Sequence, residues 1–110
     1  MKIFITGVAG FLGSHIADKM LELGHEVIGC DNLVGGYLNN IPPEVEFHKF
    51  DLNYLEGLSS LMEGCDIVYH TACTAYEGLS VFSPSLITSN TFGISVNAMT
   101  SAIQAGVGKF

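Results

Sequence analysis

The sequence predicts an α/β fold, the first half of a doubly wound parallel sheet with strand order 3-2-1-4 and flanking helices. Two observations predict it. Strand-like and helix-like patterns alternate along the whole chain as β-α-β-(loop)-β-α-β-α, and a glycine-spaced turn joins the first strand to the first helix. Right-handed crossovers between parallel strands then dictate the strand order.

Each element has its own signal. Lys2–Thr6 is a short, partly β-branched apolar run, as suits a strand buried on both faces. From Phe11 the period becomes helical: Leu12, Ile16, Met20 and Leu23 share a face with Ala17 and Leu21, and Gly24 offers a left-handed stop. Glu26–Cys30 is the second strand. Asn32–Pro43 reads as loop, because Gly35-Gly36, Asn39-Asn40 and Pro42-Pro43 all break regular structure. Val45–Phe50 sets Val45 and Phe47 against Glu46 and His48, the alternation of an edge strand. Leu55, Leu58, Leu61 and Met62 give a short helix ending at Gly64, and Asp66–His70 is the fourth strand. A loop from Thr71 to Ser83 leads to a long helix, Pro84–Ala105, with Ser83 as N-cap and Pro84 in the first helical position. Ile87, Asn90, Ile94, Ala98 and Ala102 line one face of that helix, with Met99 and Ile103 beside it, until Gly106.

Composition excludes several functions. The chain has 110 residues, 48% of them hydrophobic, which suits one domain with one modest core. Four Lys and Arg against eleven Asp and Glu give a formal charge of −7. Nucleic acid and anionic membranes both need clustered cations, so neither is an expected partner. A ligand phosphate is still possible if backbone N–H groups receive it. Cys30, Cys65 and Cys73 lie far apart, and the opening residues MKIFIT run straight into a strand. Free thiols and the lack of a leader lead to an expected cytoplasmic location. His15, His25, His48 and His70 have no zinc-ligand spacing.

The chemistry is concentrated in Gly7-Val8-Ala9-Gly10-Phe11-Leu12-Gly13, a G-x-x-G-x-x-G turn. The early glycines permit a tight turn and close approach to a pyrophosphate at the helix N-terminus, while Gly13 lets the helix pack closely on the sheet. A positive φ is expected at Gly10. Asp31 ends the second strand, eighteen residues after Gly13, where a carboxylate accepts from adenosine ribose hydroxyls. It would repel a 2′-phosphate, and the chain contains no Arg to welcome one. NAD is therefore the expected cofactor rather than NADP. The alternatives are a turn shaped by sterics alone and a solvated loop Asp31.

The combined motifs, TGVAGFLGSH, CDNL, FDL and YHTAC, resemble the extended short-chain dehydrogenase/reductase family. Within it they are most similar to the NAD-dependent epimerase/dehydratase group, typified by UDP-glucose 4-epimerase. The resemblance spans essentially the whole chain and implies a partial Rossmann fold. It implies cofactor contacts at Gly7, Gly10, Phe11, Leu12, Gly13, Asp31, Asn32 and Leu33. Asp51 would accept from the adenine amino group while Leu52 meets the ring. Thr71, Ala72 and Cys73 would lie under the pyrophosphate and nicotinamide ribose. Asn90, in the N-x-x-G element Asn90-Thr91-Phe92-Gly93, would lie near the cofactor. Against these stand plainer readings: Asp51 or Asn53 as a helix cap, Asn90 as a satisfied core side chain, and His70, Cys30 and Cys73 as packing residues at strand ends. One departure is Ala75, where some 4-epimerases carry Lys.

The resemblance also implies what this stretch lacks. The family's hydride chemistry uses a Ser or Thr after the fifth strand and a Tyr-x-x-x-Lys pair. None of Tyr37, Tyr54, Tyr69 and Tyr76 has Lys four residues later, and the fifth strand would begin at Gly108-Lys109-Phe110. The expectation is an N-terminal NAD-binding half-domain over residues 1–110, without the catalytic and nucleotide-sugar-binding parts and unable to catalyse alone. It is either part of a longer enzyme, a stand-alone module, or a regulatory member that binds NAD without turnover. The open edge of the fourth strand leads to expected self-association, a homodimer among the options.

Overall fold

The computed structural model describes residues 1–110. Four strands, β1 (Lys2–Thr6), β2 (Glu26–Asp31), β3 (Glu46–Lys49) and β4 (Ile67–His70), form one parallel sheet in the order β3-β2-β1-β4. The registers pair Ile5 with Gly29 and with Tyr69, so β1 is an interior strand, as is β2. Five helices accompany them: α1 (Phe11–Glu22), α2 (Leu58–Leu61), α3 (Glu77–Phe82), α4 (Pro84–Thr88) and α5 (Ile94–Gln104). None is long and apolar enough to cross a membrane.

The alternation of β1 divides the core in two. Ile3 and Ile5 pack with Val8, Ala17, Val27 and Val45 on the α1 side. Phe4 packs with Ile28, Leu52, Leu58, Met62, Val68, Ile94 and Ala102 on the side of α2 and α5. A strand covered on both faces needs apolar residues at every position, which is why Ile3-Phe4-Ile5 shows no polar alternation.

Several expectations require correction. The buried strip of α1 is Gly13, Ser14 and Ala17, with Leu12 and Leu23 both exposed. Ile16, Met20 and Leu21 pack against the core with Ala17 as expected, so the predicted face loses only Leu12 and Leu23 and gains Gly13 and Ser14 where the helix approaches the turn. The second strand extends to Asp31, and the third and fourth are shorter than predicted, because pairing stops where the chain turns. The segment Thr71–Ser83 is not all loop, since α3 occupies its second half. Val81 and Phe82 are exposed there, so no periodic apolar face announced a helix. Ser83 makes no capping hydrogen bond, although Pro84 does take the first helical position. The long helix carries a π-helical turn at Ser89–Gly93 between α4 and α5.

The outer edge of β4 is not wholly open either. The Val68 N–H donates to the Lys109 carbonyl at 2.9 Å, and the Asp66 carbonyl accepts from the Gly108 and Lys109 amides at 3.2 Å. Lys109 thus begins a fifth parallel line beside Ile67.

Candidate functional site

The first strand delivers the chain to Gly7, whose φ of +71° turns it sharply upward into α1. This is the position where the turn requires left-handed backbone. Gly10 has φ −81° instead of the expected positive value, and serves as the N-cap of α1. A Cβ on Gly13 would lie 2.2 Å from the Gly7 carbonyl oxygen, so the third glycine packs against the turn itself. On Gly10 a Cβ would meet only that same oxygen, at 3.3 Å, with space otherwise open.

Above this turn lies a cleft of about 220 Å³ at the carboxyl ends of the strands. Open α/β sheets bind ligands at such a crevice. Of the sequence-predicted residues, Gly7, Gly10, Asp31, Asn32, Asp51, Leu52, Thr71, Ala72, Cys73 and Asn90 line it. Phe11, Leu12, Gly13 and Leu33 do not, and the Phe11 side chain is 82% exposed. Their backbone is the relevant part. The amides of Phe11, Leu12 and Gly13 find no acceptor in the protein, while Ser14 N–H bonds the Gly10 carbonyl. Of these free donors at the end of a twelve-residue helix, those of exposed Phe11 and Leu12 can receive an anion, while Gly13 is buried against the turn.

Asp31 is held firmly. Its Oδ2 accepts from the Ala9 amide at 3.1 Å and its Oδ1 from the Leu33 amide at 2.8 Å. The second bond accompanies φ +64° at Leu33, the one non-glycine residue in left-handed backbone. Ala9 ties the next loop as well, its carbonyl accepting from Tyr37 N–H at 3.1 Å and Asn40 Nδ2 at 2.9 Å. Asp31 and Asp51 are the only charged side chains in the cleft, so no cation there could hold a phosphate. Buried Cys30, beside Asp31, has its thiol pushed up to about 12 by desolvation first and the carboxylate second, and stays protonated.

The opposite wall is a polar lattice. Asp51 Oδ1 accepts from both the backbone N–H and Nδ2 of Asn53, each at 2.9 Å. Asn53 Nδ2 also donates to Asn90 Oδ1 at 2.7 Å, and the Ser89 hydroxyl donates to Asn53 Oδ1. Neither Asp51 nor Asn53 caps α2, whose N-cap is Gly57. Asn90 is half-buried and partnered within the cleft, carried on the π turn, a feature common at functional sites. Asn97 Nδ2 anchors the Leu52 carbonyl at 2.8 Å.

Sequence reasoning missed Asn53, Tyr76 and Asn97, and passed over Gly35 and Gly36 as loop punctuation. Asp51-Leu52-Asn53 has the i, i+2 spacing of an Asx turn, a signal that could have been read. Tyr76 and Gly35 approach each other only through the tertiary fold, and nothing local announces them.

The sheet order, glycine turn and crevice are those of a doubly wound α/β fold of the Rossmann type. The chain belongs to the NAD-dependent epimerase/dehydratase family, whose model matches residues 3–110. It is 40% identical over 82 residues to an uncharacterised UDP-glucose epimerase of Bacillus subtilis, covering 66% of this chain and 26% of that one. It is 34% identical over 93 residues to UDP-glucuronic acid decarboxylase 1 of Danio rerio, covering 84% of this chain and 22% of that one. Its fold superimposes on Thermus thermophilus UDP-glucose 4-epimerase in complex with NAD at TM-score 0.90 and 34% identity, over 97% of this chain and 35% of that chain. The chain therefore spans about a quarter to a third of the length of the proteins it matches.

Proposed function

We propose that these residues bind NAD for a nucleotide-sugar epimerase, dehydratase or decarboxylase, in the cleft above Gly7–Gly13. The observation that carries this is the set of unpaired Phe11 and Leu12 amides beside Gly10, next to a cleft without a cation. A pyrophosphate satisfies those donors, and the family membership and the NAD complex of the Thermus relative support the choice of dinucleotide. Asp31 accepts from the adenosine ribose, with Asn32 and Leu33 holding its loop. Asp51 and Leu52 meet the adenine, while Thr71, Ala72, Cys73 and Asn90 border the nicotinamide half. Held by these residues, NAD would supply a reversible hydride acceptor for chemistry on the sugar.

These 110 residues hold no tyrosine with a lysine four positions on, so by themselves they bind without turnover. The test is an epimerisation assay of this chain on UDP-glucose alongside NAD⁺ titration. Binding without product is expected. Product formation by host-free protein would overturn the division of labour, and absence of binding would overturn the site.

Self-association is part of the same reading. Phe92, Val96, Met99 and Ile103 leave an apolar strip exposed on the outer side of the long helix, and Lys109 guards only one end of β4. Light scattering over a dilution series should show dimers or larger species, and a monomer throughout would contradict it. The three free thiols support a reducing, cytoplasmic setting.

A further inference from the structure

His70 ends β4 behind the cleft and is not among its lining residues. Its ring makes two hydrogen bonds, Nδ1 to Thr6 Oγ1 at 2.7 Å and Nε2 to Ser95 Oγ at 2.9 Å. The partners fix the direction of both. Thr6 Oγ1 already accepts from the Thr71 amide at 3.1 Å and the Ala72 amide at 3.3 Å. A hydroxyl has two acceptor sites and one proton, so with both sites filled its proton goes to Nδ1. The Ser95 hydroxyl donates to the Thr91 carbonyl at 2.5 Å, which leaves it to accept from Nε2–H. Only the neutral Nε2–H tautomer satisfies every atom.

The chain of bonds therefore runs one way: Thr71 and Ala72 amides to Thr6, Thr6 to His70, His70 to Ser95, Ser95 to Thr91. Its first members form the Thr71–Cys73 wall of the cleft. Its last lies in the π turn that carries Asn90. We infer that His70 is a tautomer-locked positioning residue that couples these two walls, so that protonating its ring disturbs both. The role of the walls rests on the proposed NAD site.

The consequence of charging the ring follows from the same count. An imidazolium presents a proton at Nδ1 to an oxygen whose acceptor sites are occupied, so the Thr6 proton must leave or an amide of Thr71 or Ala72 must be released. On the far side, Nε2–H polarises Ser95 and the Thr91 carbonyl. The groups facing His70 are Thr6 and Thr71 from the sheet side, Ser95 from α5 and Phe110, which stacks on the ring with centroids 5.8 Å apart. None is charged. Burial alone lowers the proton affinity of the ring from its ordinary value, consistent with a neutral resting state.

The test is ¹⁵N NMR of the imidazole and backbone amides of this chain, first without ligand. Protonated Nε2 and bare Nδ1 are expected at neutral pH. Acid titration should move the Thr71–Ala72 and Asn90–Ser95 amides with the midpoint of the His70 ring. In Ser95→Ala the first group should still follow His70 and the second should not. An Nδ1–H tautomer, or amides in the two walls that titrate independently of His70, would overturn the inference. Adding ADP-ribose then separates the two readings. Its affinity should fall with the His70 titration, whereas coupled walls that bind no ADP-ribose would count against the NAD site while supporting the link itself.

Discussion

Gly13 stands against Gly7: a Cβ on the former would sit 2.2 Å from the carbonyl oxygen of the latter and 2.8 Å from its carbonyl carbon. That contact is backbone on both sides, so nothing flexible can yield. The glycines of the turn consequently divide into one that shapes the turn, one that packs the helix on it, and one that faces the cleft.

Substitution should separate these roles. Gly13→Ala forces the helix off its turn and is expected to cost about 3 kcal/mol or more. Gly10→Ala has an ordinary φ and one tight contact, its Cβ 3.3 Å from the Gly7 carbonyl oxygen, so it should cost about 1 kcal/mol through that contact and the lost N-cap preference. If the proposed site is right, it should nonetheless weaken NAD⁺ binding at least about tenfold, by pushing into the space proposed for the pyrophosphate. Urea denaturation and calorimetry on the two variants read the two effects independently.

Asp31→Asn should harm the protein as well as the site. Both oxygens accept backbone amides, from Ala9 and Leu33, and a carboxamide can supply only one acceptor. The other position would place two donors face to face. A stability loss of about 1–3 kcal/mol is expected, visible in urea melts. Unchanged stability would mean that Asp31 is held less tightly than its two hydrogen bonds imply.

Much of this was legible in the residues, for identifiable reasons. Gly7, Gly10, Gly13 and Asp31 sit at turns of fixed spacing, and Ile3-Phe4-Ile5 of β1 is apolar throughout because both faces of the strand are covered. The π turn was not legible, since its extra residue leaves Ile94, Ala98 and Ala102 still spaced as a helix. The Asn53–Asn90 and Asn97–Leu52 bonds join residues that are neighbours only after folding. α3 escaped notice because Val81 and Phe82 face outward and only Leu79 turns partly inward, which leaves no buried face for a pattern to find.

Ser101 offers a simple stabilising change. Its hydroxyl is wholly buried on α5 and has no hydrogen-bond partner. Ser101→Ala removes an unsatisfied polar atom and adds a better helix former, so stability should rise by up to about 1 kcal/mol. A thermal melt showing clear destabilisation would reveal a partner for that hydroxyl.

Stability should also fall at both ends of the pH scale. The unfolded chain protonates His70 near its ordinary value of 6.5, whereas the folded ring resists, so the unfolded state binds more protons below that pH and stability declines with acid. At the other end, unfolded Cys30 ionises near 9.0 while the folded thiol holds its proton to about 12. The unfolded state then binds fewer protons, and stability declines above pH 9. Cys65, raised chiefly by its burial, acts in the same direction. Urea midpoints from pH 5 to 10 should form a plateau between these limits, and His70→Asn should flatten the acid limb.

In the proposed site, backbone amides above Gly7–Gly13, with Asp31 beside them, select NAD. Calorimetric titration of the folded chain with NAD⁺ and NADP⁺ tests it most directly. Saturable one-to-one binding of NAD⁺ is expected, with at least about tenfold weaker binding of NADP⁺, whose 2′-phosphate would meet Asp31 with no arginine to receive it. Equal affinity for the two, or no binding of either by the folded chain, would contradict it.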